Sequence, residues 1–187
     1  EEARREIDRD YIDIFMLHEQ ESEWTLRGHR DALDALYDLK AKGIIRAVGI
    51  STHFVAGVEG AVKYGLDVVH PMLNVTGLGI CDGSREDMEK AVQKACESGM
   101  GVYTMKAFGG GDRLDGALSP AGRALTVKQC IHYALTHPAV GAVMCGYDTK
   151  EQVDQAVAYE TATDAEKDYA SVLAGAPLHS CRGECTY

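Results

Sequence analysis

Asp10-Tyr11-Ile12-Asp13-Ile14-Phe15-Met16-Leu17-His18 is a stretch rich in β-branched and aromatic residues that stops at a histidine, before Glu19-Gln20-Glu21. Side chains alternate along a strand, so Ile12, Ile14 and Met16 share one face and Tyr11, Asp13, Phe15 and Leu17 the other. Apart from Asp13 both faces are apolar or aromatic, which predicts a strand buried on both sides, as in a parallel sheet. The imidazole at its carboxyl end then stands where open α/β sheets and α/β barrels keep their chemistry.

The same unit repeats outward from there. A helix is predicted over 25–42, with Leu26, Leu33, Leu36 and Leu39 as its apolar stripe and Lys40, Lys42 and Gly43 as its basic, glycine-ended close. Further strands are predicted at 44–51, 67–75, 101–106 and 140–145, with Pro71 marking a bulge or an early stop in the second of these. Helices fit 54–64, closed by Gly65, and a segment opened by Ser84, with Asp87 as its reciprocal cap. Others fit 126–137, 149–159 and a short piece after Asp164.

Strand–helix alternation at a spacing of about 35 residues makes this an α/β protein with a parallel sheet. Five units are too few to close an eight-stranded barrel, and an open half-barrel leaves two unpaired edges. Residues 1–9 read as a helix already under way, without a cap. The expectation is a (β/α)8 barrel of which residues 1–174 are the later five βα units, with 175–187 a separate tail.

Nineteen basic against 29 acidic residues give a formal charge of −10. That argues against a broad nucleic-acid or anionic-membrane footprint, which needs clustered Lys and Arg. The apolar runs are too short to span a bilayer. Cys81, Cys96, Cys130 and Cys145 are scattered singly, which fits free buried thiols in a reducing, cytoplasmic compartment.

The carboxyl ends of the five strands supply His18; Ser51-Thr52-His53; His70 to Gly77; Lys106 to Gly111; and Gly146-Tyr147-Asp148-Thr149. In a barrel these converge on one face. Glycine turns that let the backbone approach, and a Thr-capped helix start after Gly146, suit an anionic, hydrogen-bonding ligand. Each histidine alone is more often a packed, hydrogen-bonded residue than a catalyst. The spacing Gly77-x-Gly79-x-x-x-Gly83 is one residue too long for a dinucleotide fingerprint.

The order of these motifs carries more than any one of them. Asp10-Tyr11-Ile12-Asp13 leading to Leu17-His18, then Leu39-x-x-Lys42-Gly43-x-x-Arg46-Ala47-Val48-Gly49-Ile50-Ser51, closely resembles the aldo-keto reductase superfamily. Met105-Lys106-Ala107-Phe108-Gly109-Gly110-Gly111 and Val143-Met144-Cys145-Gly146 with Glu151-Gln152-Val153 fit the same family, as strands four to eight of its barrel. The resemblance implies reduction of a small aldehyde or ketone with NADP(H), NAD(H) remaining open because the usual 2′-phosphate-gripping Lys and Arg are absent. His18 falls on the substrate-orienting histidine. Ser51, Thr52 and His70 fall where the nicotinamide amide is held. Met105 replaces a stacking Tyr. Lys106, Phe108 and Gly110, with Gly146 and Tyr147, fall on the pyrophosphate and adenosine turns, and Gln152 and Gln155 near ribose and adenine.

The family's proton-donating Tyr, with its Asp and Lys, has no counterpart here, so the 187-residue chain by itself is expected to be inactive. The closing Cys181-Arg182-Gly183-Glu184-Cys185 resembles the start of a ferredoxin-like 4Fe–4S extension found in one subgroup. Cys185 and then Cys181 are its candidate ligands, although two thiolates cannot hold a cluster that needs four. Two other readings stay open: a non-catalytic, nucleotide-binding subunit or redox sensor, and an unrelated phosphate-binding barrel.

Overall fold

The computed structural model describes residues 2–176. Five strands, β1 (Ile12–Leu17), β2 (Ile45–Thr52), β3 (Val68–Pro71), β4 (Gly101–Thr104) and β5 (Ala142–Val143), pair in parallel and in strictly sequential order. Helices α2 (Glu23–Gly28), α3 (Arg30–Ala41), α4 (Val55–Tyr64), α5 (Arg85–Glu97) and α6 (Val127–Leu135) connect them. Before the sheet comes α1 (Glu2–Glu6), and after it α7 (Lys150–Val157), α8 (Asp164–Lys167) and α9 (Tyr169–Leu173).

Sequential order with right-handed crossovers places the connecting helices on one face of the sheet. The other face is concave. Tyr103 Oη on β4 donates to Met16 Sδ on β1 at 3.3 Å, although three strand spacings of ~4.8 Å separate those strands. A flat sheet could not make that contact. The fold is therefore a parallel α/β sheet curled as in a partial barrel.

The core lies on the helix side. Leu26, Leu33 and Leu36 from α2 and α3, Val58 and Ala61 from α4, and Met88 and Val92 from α5 bury against Val48, Ile50, Val69 and Val102 of the strands. Ser22, Ser84, Thr126, Thr149 and Thr163 each cap a helix with the reciprocal bond from the third helical residue. Gly65 closes α4 in the left-handed conformation, φ 64°.

At the amino end of the sheet, Lys40 Nζ donates to both oxygens of Asp67 at 2.6 Å, and Asp67 Oδ2 also accepts from Val48 N at 2.8 Å. One carboxylate thus ties α3, β2 and the start of β3 together. Gly49 is required beside it, because a Cβ there would lie 2.4 Å from the Val68 carbonyl oxygen.

Several expectations need correction. The opening strand is six residues rather than nine, and it is not buried on both sides: Ile14 is 42% and Phe15 37% exposed. Among the described residues it is an edge strand, paired with β2 alone, so its outer flank lacks the cover that a central parallel strand receives. The helix expected over 25–42 is two helices, broken at His29 (φ −100°, ψ 24°), because Ser22 and Thr25 nucleate an earlier start. Pro71 ends β3, as the early-stop alternative required. The last strand shrinks to two paired residues, since only Tyr103 and Thr104 of β4 reach it. Cys130 is buried and Cys96 and Cys145 partly so, but Cys81 is exposed; all four are free thiols.

Candidate active site at the carboxyl ends of the strands

Register decides what meets at the carboxyl end. Leu17 aligns with Ile50, Ser51 with His70, Val69 with Val102, and Tyr103 with Ala142. Advancing one residue from the first and third pairs sets His18, Ser51, His70 and Tyr103 in one row across β1 to β4. Residues at one level of a parallel sheet share a face, and Tyr103 reaches Met16, so that face is the concave one.

Within the row the contacts are direct. His18 Nδ1 and Ser51 Oγ are 2.9 Å apart, and Ser51 Oγ accepts from Glu19 N at 3.0 Å. With the serine proton directed at Nδ1, His18 carries its own proton on Nε2, a donor suited to a carbonyl oxygen. Gln20, a buried residue, donates from Nε2 to the His18 carbonyl at 2.9 Å, its Oε1 lies 2.9 Å from His29 Nδ1, and its N–H donates to the Ser51 carbonyl. Glu19 adopts φ 51°, unusual for a non-glycine residue, and this turn brings its N–H onto Ser51.

His70 is buried and stacked on Tyr103, centroids 4.1 Å apart and planes 18° from parallel. A carbonyl can only accept, so His70 Nδ1 donates to the Tyr103 carbonyl at 2.8 Å, which leaves Nε2 as the acceptor. Burial lowers the His70 pKa from its ordinary 6.5, with the Tyr103 carbonyl pulling the other way, and so favours the neutral ring. A neutral Nε2 offers the acceptor that a Gln amide would. Burial also raises the Tyr103 pKa, which makes this phenol a poorer proton donor near neutral pH.

Thr52 belongs to the other face. It is buried, its Oγ1 accepts from Phe54 N at 3.0 Å, and it packs against Gly57 of α4 so closely that a Cβ there would sit 2.2 Å from Oγ1. His53 turns toward Glu19, Nδ1 to Oε1 3.4 Å. Desolvation lowers its pKa first, Glu19 opposes, and Lys106 and His18 add to the lowering. His53 and Lys106 therefore lie within electrostatic reach of the row.

After β4, Met105 continues the pairing, donating from N to the Pro71 carbonyl at 3.0 Å. Lys106 follows at φ 61°, then Gly109, Gly110 and Gly111 at φ 57°, 73° and 105°, so the turn is left-handed at four positions. Gly109 has a second reason to be glycine: a Cβ would lie 2.7 Å from Cζ of Arg113, whose side chain is fully buried and donates to Asn74 Oδ1 at 3.3 Å. Phe108 and Tyr147 face each other, centroids 6.4 Å apart, joining the turns after β4 and β5. Burial and the neighbouring Cys145 push the Tyr147 hydroxyl up to about 12. Gly146 opens the second turn, where a Cβ would meet nothing.

Gln152 is used by its own helix, its Oε1 accepting from Asp148 N at 2.6 Å. Gln155 instead lines an open cleft of about 760 Å³ with Leu114, Leu125, Lys128, Ala158 and Glu166. The row from His18 to Tyr103, the Gln20 and Glu19 supports and the Arg113 anchor were not legible in sequence, since each depends on register or on a long-range contact. The signal that came nearest was the clustering of His18, Ser51, His70 and Lys106 at strand ends. Among the described residues no group of three or more His, Cys, Asp or Glu could hold a metal ion. Cys181 and Cys185 lie outside the described residues. No described helix is long and apolar enough to cross a membrane.

The sequence profile of the Aldo/keto reductase family matches residues 1–122. Solved structures with the same fold include an aldo-keto reductase of Bacillus halodurans in its holo form, at TM-score 0.69 and 20% identity over 97% of this chain and 67% of that one. A Pseudomonas aeruginosa protein assigned to the aldo-keto reductases matches at TM-score 0.64 and 17% identity, over 84% of this chain and 53% of that one. A Brucella melitensis aldo/keto reductase matches at TM-score 0.62 and 12% identity, over 92% and 64%. The chain thus spans between half and two thirds of these structures. No curated protein matches it.

Proposed function

Since the chain belongs to the aldo/keto reductase family, we propose that it forms the later five βα units, strands four to eight, of an oxidoreductase that reduces a small aldehyde or ketone with a nicotinamide dinucleotide. The observation that carries this reading is the row His18–Ser51–His70 on the concave face, with His18 oriented by a 2.9 Å contact to Ser51.

The residues present fit such a cofactor. His70 Nε2 is an acceptor for a carboxamide N–H, and Ser51 Oγ stands beside it in register. The left-handed turn from Lys106 to Gly111 can present backbone N–H groups and one cation to a pyrophosphate. Bound there, the dinucleotide supplies the hydride. His18 donates from Nε2 to the carbonyl oxygen, which polarises the carbon, while Gln20 and Ser51 keep the ring from rotating. Proton delivery to the oxygen needs an acid that this row lacks, because the raised pKa of Tyr103 opposes that role. We assign the acid to strands outside this stretch. Two thiolates in the tail do not fill a four-thiolate cluster, so no step passes through Cys181 or Cys185.

A fluorescence titration of the 187-residue chain with NADPH and NADH, followed by an aldehyde-reduction assay, tests both halves. Saturable binding without turnover is expected. Failure to bind either dinucleotide would remove the cofactor claim, and turnover would show that the acid is within this chain. Binding that persists unchanged in a longer, acid-bearing form without turnover would favour the non-catalytic subunit.

A further inference from the structure

Gln20 follows His18 by two residues and is buried, although its side chain is an amide. Its Nε2 donates to the His18 carbonyl at 2.9 Å, and a carbonyl can only accept, so the orientation of the amide is fixed. Oε1 is then the end that faces His29 Nδ1 at 2.9 Å, and His29 is the donor. His29 is an exposed residue at the break between α2 and α3, and its side chain makes no capping bond to α3. Helix α4 backs the same segment. A Cβ on Gly57 would lie 2.4 Å from the Gln20 carbonyl oxygen, and one on Gly60 would lie 2.9 Å from Glu23 N. Gln20 N donates to the Ser51 carbonyl at 2.9 Å, which ties the residue to β2 as well.

We propose that His29 is a positioning residue which, through Gln20, fixes the ring tautomer of His18. The use of that tautomer rests on the carbonyl-reductase reading above, whereas the linkage is a property of the turn itself. Ser51 Oγ accepts from Glu19 N at 3.0 Å, so its own proton is left for His18 Nδ1 at 2.9 Å. Glu19 reaches Ser51 only at φ 51°, a conformation disfavoured for a side chain with a Cβ and kept only where its surroundings enforce it. Gln20 enforces it from both sides, with its N–H on the Ser51 carbonyl and its Nε2 on the His18 carbonyl. His29 holds the amide in that orientation. Without the His29 donor the amide can turn over, the turn relaxes, and Glu19 N leaves Ser51 Oγ. The serine oxygen then accepts from an Nδ1–H of His18, and the proton is lost from Nε2, the atom that a substrate carbonyl needs.

Ring-nitrogen NMR of the whole 187-residue chain reads the tautomer directly, at about pH 8, above the ordinary imidazole range. Ser51→Ala, which removes the ring's partner, identifies the His18 signal. Wild type is expected to carry the His18 proton on Nε2. His29→Phe keeps a ring but loses the donor, and should lower the ratio of Nε2–H to Nδ1–H about tenfold, the shift that one net hydrogen bond supports. His29→Asn, whose Nδ2 can donate from the same position, should restore the ratio. Asp67→Ala, which weakens the fold at the amino end of the sheet, should leave it as in wild type and so separates positioning from general loss of stability. A wild-type proton on Nδ1, a ratio unmoved in His29→Phe, or one moved equally by Asp67→Ala would overturn the assignment. If His29→Phe moves the ratio while the chain binds neither dinucleotide, the linkage stands and the carbonyl-reductase reading falls.

Discussion

The two ends of the same parallel sheet use polar groups in opposite ways. At the amino end, Asp67 accepts from Lys40 with both oxygens and from Val48 N, and the contact closes on itself. At the carboxyl end, His18 spends one ring nitrogen on Ser51, and His70 spends one on the Tyr103 carbonyl. Each keeps its second nitrogen for something else. Both ends are built on β2, three residues apart at Val48 and Ser51. The difference teaches that the type of polar residue does not mark a site here. What marks it is hydrogen-bonding capacity that the fold orients and leaves unspent.

This contrast can be broken most severely at Gly49. Gly49→Ala puts a Cβ 2.4 Å from the Val68 carbonyl oxygen, and overpacking between paired strands costs about 3 kcal/mol. Urea unfolding should show a midpoint lowered at both ends together, since β2 and β3 part along their length. Asp67→Ala should be smaller and confined to the amino end. It leaves Val48 N without its carboxylate partner, a loss of about 2 kcal/mol, while the dinucleotide affinity, set at the other end, stays as in wild type. A matching loss of affinity would mean that the two ends are not separable.

The smallest expected effect sharpens the carboxyl end alone. Because burial lowers the His70 pKa below 6.5, the unfolded chain takes up a proton that the folded chain resists. The stability from the neutral ring is therefore complete above 6.5 and is lost as pH falls from there through the folded value. His70→Gln should flatten that limb by on the order of 1 kcal/mol or less, seen as a smaller difference between urea midpoints at pH 7.5 and pH 5. An unchanged slope would show that folding does not lower the His70 pKa.

Much of the framework was legible because it is local. Ser84 with Asp87, Thr149 and Gly65 are caps that act within one turn, and all three stand where the pattern put them. The break at His29 was hidden, since the earlier cap at Ser22 competes with a continuous apolar stripe and nothing in that stripe says which start wins. Cover on β1 was hidden for another reason. An apolar strand reads the same whether a neighbour lies on its flank or not, and Ile14 and Phe15 are exposed because, among the described residues, β1 pairs on one side only.

The candidate site divides along the same line. His18, Ser51, His70 and Lys106 could be picked out as strand-end residues because hydrophobic periodicity locates where a strand stops. Their pairing could not, since a parallel sheet fixes its register through partners tens of residues apart: 33 positions separate His18 from Ser51, and 33 separate His70 from Tyr103. By itself the sequence determined the βα alternation, the helix caps, the family pattern and the residue types offered at the carboxyl face. Only the tertiary structure decided that Ser51 orients His18, that Thr52 turns to the helix side, and that His70 is fixed as an acceptor. Local chemistry is written in neighbouring residues, whereas hydrogen-bond capacity is spent on distant ones.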